Sequence, residues 1–250
     1  MAKLKNIPIL MYHHVLEKNK IDDANWGSLY VDIKEFEKQA GFLKSAGYTT
    51  IDFAGLAAII DGKVPPPKKP VIIVFDDAYE ASIANVAPVL ENYRQKAVVA
   101  LVTGCVGGTD TWDKACKETY DVMKEDEVEL YNNEETFSFE SHTVTHPHFK
   151  DIGAEKLEYE LKESKRYLEK LLAKPVNALI YPYGEYNKDV KEAVKRAGYK
   201  FGVAVQARTS SVLVDPYELR RVYIKSTDSL GAFKRKISGW YLWYRGLRRR

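Results

Sequence analysis

The chain's 250 residues, 45% hydrophobic and 29% charged, suffice to bury a core in one large domain or two small ones, which excludes a disordered chain and a collagen-like repeat. Two cysteines, Cys105 and Cys116, with no CxxC metal pair, exclude a disulfide scaffold; they are read as free thiols or one optional bridge. The net charge of +3 is unevenly placed: seven Lys and Arg and no acid lie in Lys234–Arg250, which leaves the remainder at −4 and gives no footprint for nucleic acid.

In chain order, short β-rich apolar runs alternate with longer amphipathic stretches. Strands are predicted at Ile7–Tyr12, Tyr48–Ile51, Val71–Phe75, Ala97–Thr103, Thr136–Glu140, Val176–Tyr181, Lys200–Val205 and Leu219–Ile224. Helices are predicted at Asp32–Ala46, Asp52–Asp61, Ala84–Arg94, Asp113–Tyr131, Ala154–Ala173, Lys188–Ala197 and Ser229–Ile237. Leu157, Leu161, Leu168 and Leu172 recur near the 3.6-residue helical period. Val71–Phe75 is apolar at every position, the pattern of a parallel strand buried on both faces. Strands separated by helices require right-handed crossovers and a parallel sheet. About seven such units predict a single distorted (β/α) barrel, with an open doubly wound sheet as the alternative. No interior linker or repeat divides the chain. Residues 1–237 are read as one domain and 238–250 as a basic, aromatic tail.

The chemistry gathers in two places. The five histidines form two clusters, His13-His14 and His142, His146, His148. The i,i+4 spacing of His142 and His146 would put both imidazoles on one side of a helical turn, to share a metal or simply to make a polar loop. Asp76 and Asp77 directly follow the buried strand, at the end where parallel α/β folds carry their sites. Adjacent carboxylates there repel each other unless a cation is near; one of them could instead cap the next helix. Two histidines and one aspartate make the three-ligand set of a catalytic zinc site, and the spare carboxylate is a candidate general base.

Four ordered motifs carry a resemblance: Ile9-Leu-Met-Tyr-His-His-Val15, Val74-Phe-Asp-Asp-Ala-Tyr79, Ser141-His-Thr-Val-Thr-His-Pro147 and Tyr181-Pro-Tyr-Gly-Glu-Tyr-Asn187. Together they resemble the polysaccharide deacetylase family (NodB homology domain, carbohydrate esterase family 4), closest to its poly-N-acetylglucosamine deacetylase-like branch. The resemblance implies a distorted barrel and a divalent metal, usually zinc with cobalt as a substitute, acting on acetylated sugars. It implies that Asp77, His142 and His146 bind the metal and that Asp76 is the base. It further implies that the Tyr183 backbone N–H meets the oxyanion and that His13 is the acid. Strand alternation places His13 and His14 on opposite faces, and the motif selects His13.

Three positions depart from the family pattern. Ala78 replaces a glycine, so that turn is expected to avoid positive φ. Ile180 stands where relatives have an arginine that steers the base; Arg220 or Arg221 is the expected substitute, or both are an ordinary surface pair. Glu140 replaces a small residue, and its charge is either structural or touches the site. His148 is expected to hydrogen-bond locally, and Glu118, Glu125 and Glu127 to form a solvated helix face. Trp240, Tyr241, Trp243 and Tyr244, followed by arginines, either contact an anionic surface or form a frayed tail.

The expected activity is therefore metal-dependent removal of acetyl groups from the N-acetylated sugars of a glycan. The rivals are an O-acetyl esterase and a non-catalytic carbohydrate-binding protein. No apolar run approaches the roughly 18 residues of a membrane span, and Met1–Pro8 lacks an h-region or cleavage site. As read, the chain is expected in the cytoplasm or at the inner membrane face, although the family it resembles is often exported to the cell envelope.

Overall fold

A computed structural model describes residues 7–18, 28–112, 119–205 and 212–238. The strands are β1 (Ile9–Tyr12), β2 (His14–Leu16), β3 (Tyr30–Asp32), β4 (Thr49–Thr50), β5 (Pro70–Phe75), β6 (Ala97–Leu101), β7 (Phe137–Ser141), β8 (Ala178–Ile180), β9 (Phe201–Ala204) and β10 (Leu219–Tyr223). The helices are α1 (Ile33–Ser45), α2 (Phe53–Ile60), α3 (Glu80–Tyr93), α4 (Glu125–Asn133), α5 (Ala154–Leu172), α6 (Lys188–Arg196) and α7 (Leu230–Lys236).

Strands β1, β10, β9, β8, β7, β6 and β5 pair in parallel in that order, and β5 pairs again with β1. The sheet is thus a closed barrel of seven parallel strands, as the alternating pattern predicts. The closing seam matches Ile9 with Ile72 and Tyr12 with Phe75 on one side, and Ile9 with Arg221 on the other. β4 extends the start of β5, while β2 and β3 form a separate two-stranded sheet not foreseen in the sequence.

Strand alternation divides the core in two. Ile9, Ile72, Val74, Val98, Ala100, Ala178, Ile180, Val203 and Leu219 fill the barrel, and Phe53, Leu56 and Ala57 of α2 plug its N-terminal pole. The alternate residues, including Leu10, Ile73, Phe75, Val99 and Leu179, pack outward against the helices. The leucine stripe of α5 is buried as its spacing predicts, but two polar residues, Glu160 and Ser164, are buried within it. Side chains cap the helix starts where expected: Asp32 accepts from Lys34 N at 2.7 Å, Asp52 from Gly55 N at 2.6 Å, and Asn187 from Val190 N at 2.9 Å.

Two helix boundaries differ from expectation. α3 starts at Glu80, directly after the Asp76-Asp77 turn, and carries Pro88 in its interior. Of the helix predicted over Asp113–Tyr131, residues 113–118 lie outside the described residues. Residues 119–124 are not helical, as Asp121 and Val122 pair with Thr109 and Tyr79 in isolated bridges, and the described helix runs from Glu125. Glu127 closes the start of that helix on Lys124 N at 2.8 Å, and Glu125 accepts the Tyr167 hydroxyl at 2.6 Å; Glu118 lies outside the described residues. Cys105 is a free thiol, and Cys116 lies outside the described residues. So does the aromatic, basic segment from residue 239 onward, including the expected contact of this tail with an anionic surface. Among the described residues, no helix is long and apolar enough to cross a membrane.

Candidate active site

The inward-facing positions of the strands converge at the C-terminal mouth. Following the inward residues of β1, β5, β7 and β10 upward leads to His13, Asp76, His142 and Arg221. β5 ends at Phe75, and a regular continuation would turn Asp77 outward toward the helices. The backbone instead adopts φ +70° at Asp77 and +54° at the fully buried Ala78. The expectation that an alanine would keep this turn out of positive φ is therefore corrected. Left-handed geometry costs a non-glycine residue roughly 1–2 kcal/mol, and it is retained here because it brings Asp77 back to the mouth.

The histidine pair is also built differently from the helical turn expected. His142 follows the last residue of β7, and His146 ends a loop with φ +71° at Thr143 and +54° at His146. Local hydrogen bonds shape that loop, from Thr143 N to Ser141 Oγ at 3.2 Å and from His146 N to Thr143 Oγ1 at 3.0 Å. The His142 Nδ1 donates to the Ile180 carbonyl at 2.7 Å, an assignment fixed because a carbonyl only accepts. Its Nε2 lone pair then faces His146 Nε2 at 3.1 Å and Asp77 Oδ1 at 3.6 Å, and Asp77 Oδ1 is 3.7 Å from His146 Nε2.

One donor atom from each of Asp77, His142 and His146 thus lies within 4.8 Å of the others, and all three residues are buried. Asp77 Oδ1 is buried with no hydrogen-bond partner. Burial, with the charges of Asp76 and Asp110, pushes the Asp77 carboxyl well above the usual carboxylate range. Burial likewise lowers His142 to about 4 and holds His146 well below the ordinary imidazole value. Neutral imidazoles and an orphaned carboxylate oxygen form a donor set that suits a divalent cation.

Asp76 is set up in the opposite way. Arg221 Nη1 donates to its Oδ1 at 2.6 Å and also contacts Oδ2, and His13 Nε2 lies 3.7 Å from Oδ2. Burial alone would raise its pKa, but Arg221, His13 and His142 outweigh burial and hold the carboxyl below its ordinary value. Of the two candidate arginines, Arg221 therefore occupies the place beside Asp76; the buried Arg220 faces the other side of β10. Burial lowers the His13 pKa, with Asp76 opposing the shift.

The chain bends at His13, between β1 and β2, and this separates the two neighbouring histidines. His13 faces Asp76, whereas His14 is buried and stacks on Tyr79 at 3.9 Å. Tyr183 sits at φ +56° in the Pro182–Gly184 turn, 43% exposed, with its ring 4.6 Å from that of His146. His148 is not among the convergent donors. It stacks on Tyr183 at 3.6 Å with its Nδ1 3.1 Å from Glu185 Oε2, as the local reading predicts. A groove of about 570 Å³ continues from Tyr183 past Lys150, Glu185 and Asn187.

Two residues near the site, Asp110 and Trp112, were not legible in the sequence. The Tyr79 hydroxyl lies between Asp77 and Asp110, 3.2 Å from Asp110 Oδ2. Trp112 covers His146 with ring centroids 5.0 Å apart. Neither Asp110 nor Trp112 belongs to a motif, so neither gave a signal. Glu140 points into the barrel one inward position below His142, and its Oε2 accepts from Asn177 N at 2.8 Å and Ala178 N at 2.7 Å. β7 and β8 share one paired position, Ser141 with Leu179. The carboxylate thus bridges two strands where they diverge, and its role is structural.

With this geometry in hand, the comparisons are direct. Residues 63–202 match the model of the polysaccharide deacetylase family, and the chain belongs to that family. It is 29% identical over 251 residues to the poly-beta-1,6-N-acetyl-D-glucosamine N-deacetylase of Staphylococcus epidermidis, covering 92% of this chain and 82% of that one. The Streptococcus pyogenes deacetylase PplD, solved with acetate, superposes with a TM-score of 0.80 at 26% identity, over 93% of this chain and 98% of that one. IcaB from Ammonifex degensii shares the fold, with a TM-score of 0.76 at 18% identity over 95% and 97% of the two chains. Within the family, the chain thus falls with the poly-N-acetylglucosamine deacetylase-like branch.

Proposed function

We propose that this protein is a metal-dependent deacetylase of N-acetylated glycans, with Asp77, His142 and His146 holding a zinc-like cation. The observation that carries this reading is the division of labour between adjacent aspartates. Asp77 presents an unpartnered oxygen to two imidazoles, while Asp76 is held ionised by Arg221. A divalent cation in that donor set would polarise the acetyl carbonyl and acidify a water molecule.

The protein's own groups do the rest. Asp76, ionised at neutral pH, takes a proton from the attacking water. Arg221 keeps that carboxylate both charged and oriented. The Tyr183 backbone N–H donates to the oxygen that becomes negative as the carbonyl turns tetrahedral. His13, on the other side of Asp76, gives a proton to the departing amine. The partly exposed Tyr183 ring and the groove beyond it offer a surface for neighbouring sugars of a polymer.

The test is acetate release from β-1,6-linked N-acetylglucosamine oligomers, β-1,4-linked ones and O-acetylated xylan, each with Zn²⁺ or Co²⁺ and then with chelator. Release from N-acetylated oligomers, abolished by chelator and restored by metal, is expected. Release confined to O-acetyl esters would make the protein an esterase. Tight glycan binding without release from any substrate would leave a carbohydrate-binding protein.

A further inference from the structure

The loop between the two histidines carries two non-glycine residues at positive φ, Thr143 and His146, so it cannot hold its shape by local preference alone. One side of it is tied to the turn after β6: Thr103 N donates to Thr143 O at 3.0 Å and Gly104 N to Val144 O at 2.8 Å. The approach is so close that a Cβ on Gly104 would lie 2.6 Å from the Val144 oxygen. The other side is tied to a single side chain. Glu160 of α5, fully buried, accepts from Val144 N at 2.8 Å and Thr145 N at 2.9 Å through Oε2, and from Thr145 Oγ1 at 2.5 Å through Oε1.

Glu160 occupies a position in the buried stripe of α5 that a leucine would fill at no electrostatic cost. Burying a carboxylate there is unfavourable unless it is fully hydrogen-bonded. All three bonds go to the two residues, Val144 and Thr145, that immediately precede His146. The acid therefore spends its hydrogen-bonding capacity on the segment that sets the distance and angle between the two imidazoles.

We propose that Glu160 is a positioning residue of the metal centre, locking the His142–His146 loop from the helix side while the Thr103–Gly104 turn locks it from the strand side. This rests on the reading of Asp77, His142 and His146 as metal ligands. It assigns Glu160 no contact with substrate or metal. What the loop requires is acceptor geometry rather than charge: a glutamine can still accept both N–H groups through its oxygen and donate to the Thr145 hydroxyl. An aspartate, one methylene shorter, keeps the charge but falls short of the loop.

The test titrates Co²⁺ into the 250-residue chain and its Glu160→Ala, Glu160→Gln and Glu160→Asp variants, following the visible d–d bands, with circular dichroism to monitor folding. Glu160→Ala should weaken Co²⁺ binding roughly 10–100-fold, the usual effect of removing a group that orients ligands, and should alter the d–d spectrum of the saturated protein. Glu160→Gln should retain the wild-type spectrum and near-wild-type affinity, whereas Glu160→Asp should behave like the alanine variant. A folded Glu160→Ala protein with wild-type affinity and spectrum would overturn the proposal. If the alanine variant does not fold, the Gln and Asp pair decides, and equal Co²⁺ binding by those two overturns it. Failure of the wild-type chain to bind Co²⁺ would defeat the metal reading itself, a separable result.

Discussion

Two buried carboxylates of the barrel, Glu140 and Asp77, differ in a way that separates scaffold from site. Burial raises the pKa of both; Glu140 reaches about 8. Glu140 accepts two backbone N–H groups and lines a cavity of about 600 Å³ at the N-terminal pole, beside Asp52, Lys63, Glu135 and Lys200. That cavity is as large as the groove beside the histidines, yet its acid is already satisfied by the fold. Asp77 has an oxygen with no donor, two imidazoles facing it, and a strained backbone that puts it there. The lesson is that burial and a raised pKa do not identify a site by themselves; a buried acid left unsatisfied by its own fold does so more sharply.

The largest expected effect breaks the Asp77 side of the comparison. His146→Ala should remove both metal and activity while the protein stays folded, because His146 is at the mouth rather than in either core; elemental analysis with circular dichroism checks this. Full metal occupancy in that variant would sink the ligand assignment. Next comes Asp76→Asn, which should retain metal and lose turnover on the order of 10²–10⁴-fold, the usual contribution of a general base. Loss of metal instead would mean that the two aspartates exchange roles.

Arg221→Met should have a smaller effect on turnover and a diagnostic effect on pH dependence. A base works only when ionised, so activity falls as pH drops through the Asp76 pKa. Arg221 helps hold that pKa below its ordinary value, so removing it should move the acidic limb of kcat/KM to higher pH. An unmoved limb would separate Arg221 from the base.

On the scaffold side, Glu140→Gln should leave metal binding intact and change stability alone. A carboxyl whose folded pKa is about 8 against an ordinary 4.5 binds its proton more tightly when folded. Its stabilising contribution is complete below about 4.5 and lost as pH rises through about 8. Urea midpoints for the wild type should fall across that window and those of Glu140→Gln should fall less. The smallest effect belongs to Ala78→Gly, which should raise stability by up to about 1 kcal/mol by relieving left-handed strain; a lower urea midpoint would remove that turn from the strained class.

Much of this was legible in the sequence because it is encoded locally. The alternating apolar runs gave the parallel barrel, and the doublet Asp76-Asp77 and the pair His142, His146 gave the donor set. Strand alternation separated His13 from His14, although it took a bend at His13 to send His14 onto Tyr79. What stayed hidden is held by contacts distant in sequence. Arg221 meets Asp76 only because β10 and β5 both flank β1 in the closed ring. Asp110, Trp112 and Glu160 reach the site from a loop and a helix with no motif to mark them. The shape of the histidine loop depends on positive φ at Thr143 and His146, which nothing in their residue types announced.

The seam that closes the barrel has a consequence for how the protein is made. Ile9 lies between Ile72 and Arg221, so the N-terminal strand stays open along one edge until β10 has been synthesised. A nascent chain ending before Leu219 already contains Asp76, Asp77 and both histidines, but it presents bare edges on β1 and β9 and has no Arg221 beside Asp76. Contacts this remote in sequence form slowly, and unpaired strand edges invite association with other chains. A fragment that stops short of β10 would therefore be prone to association, and barrel closure and the placement of Arg221 beside Asp76 arrive together.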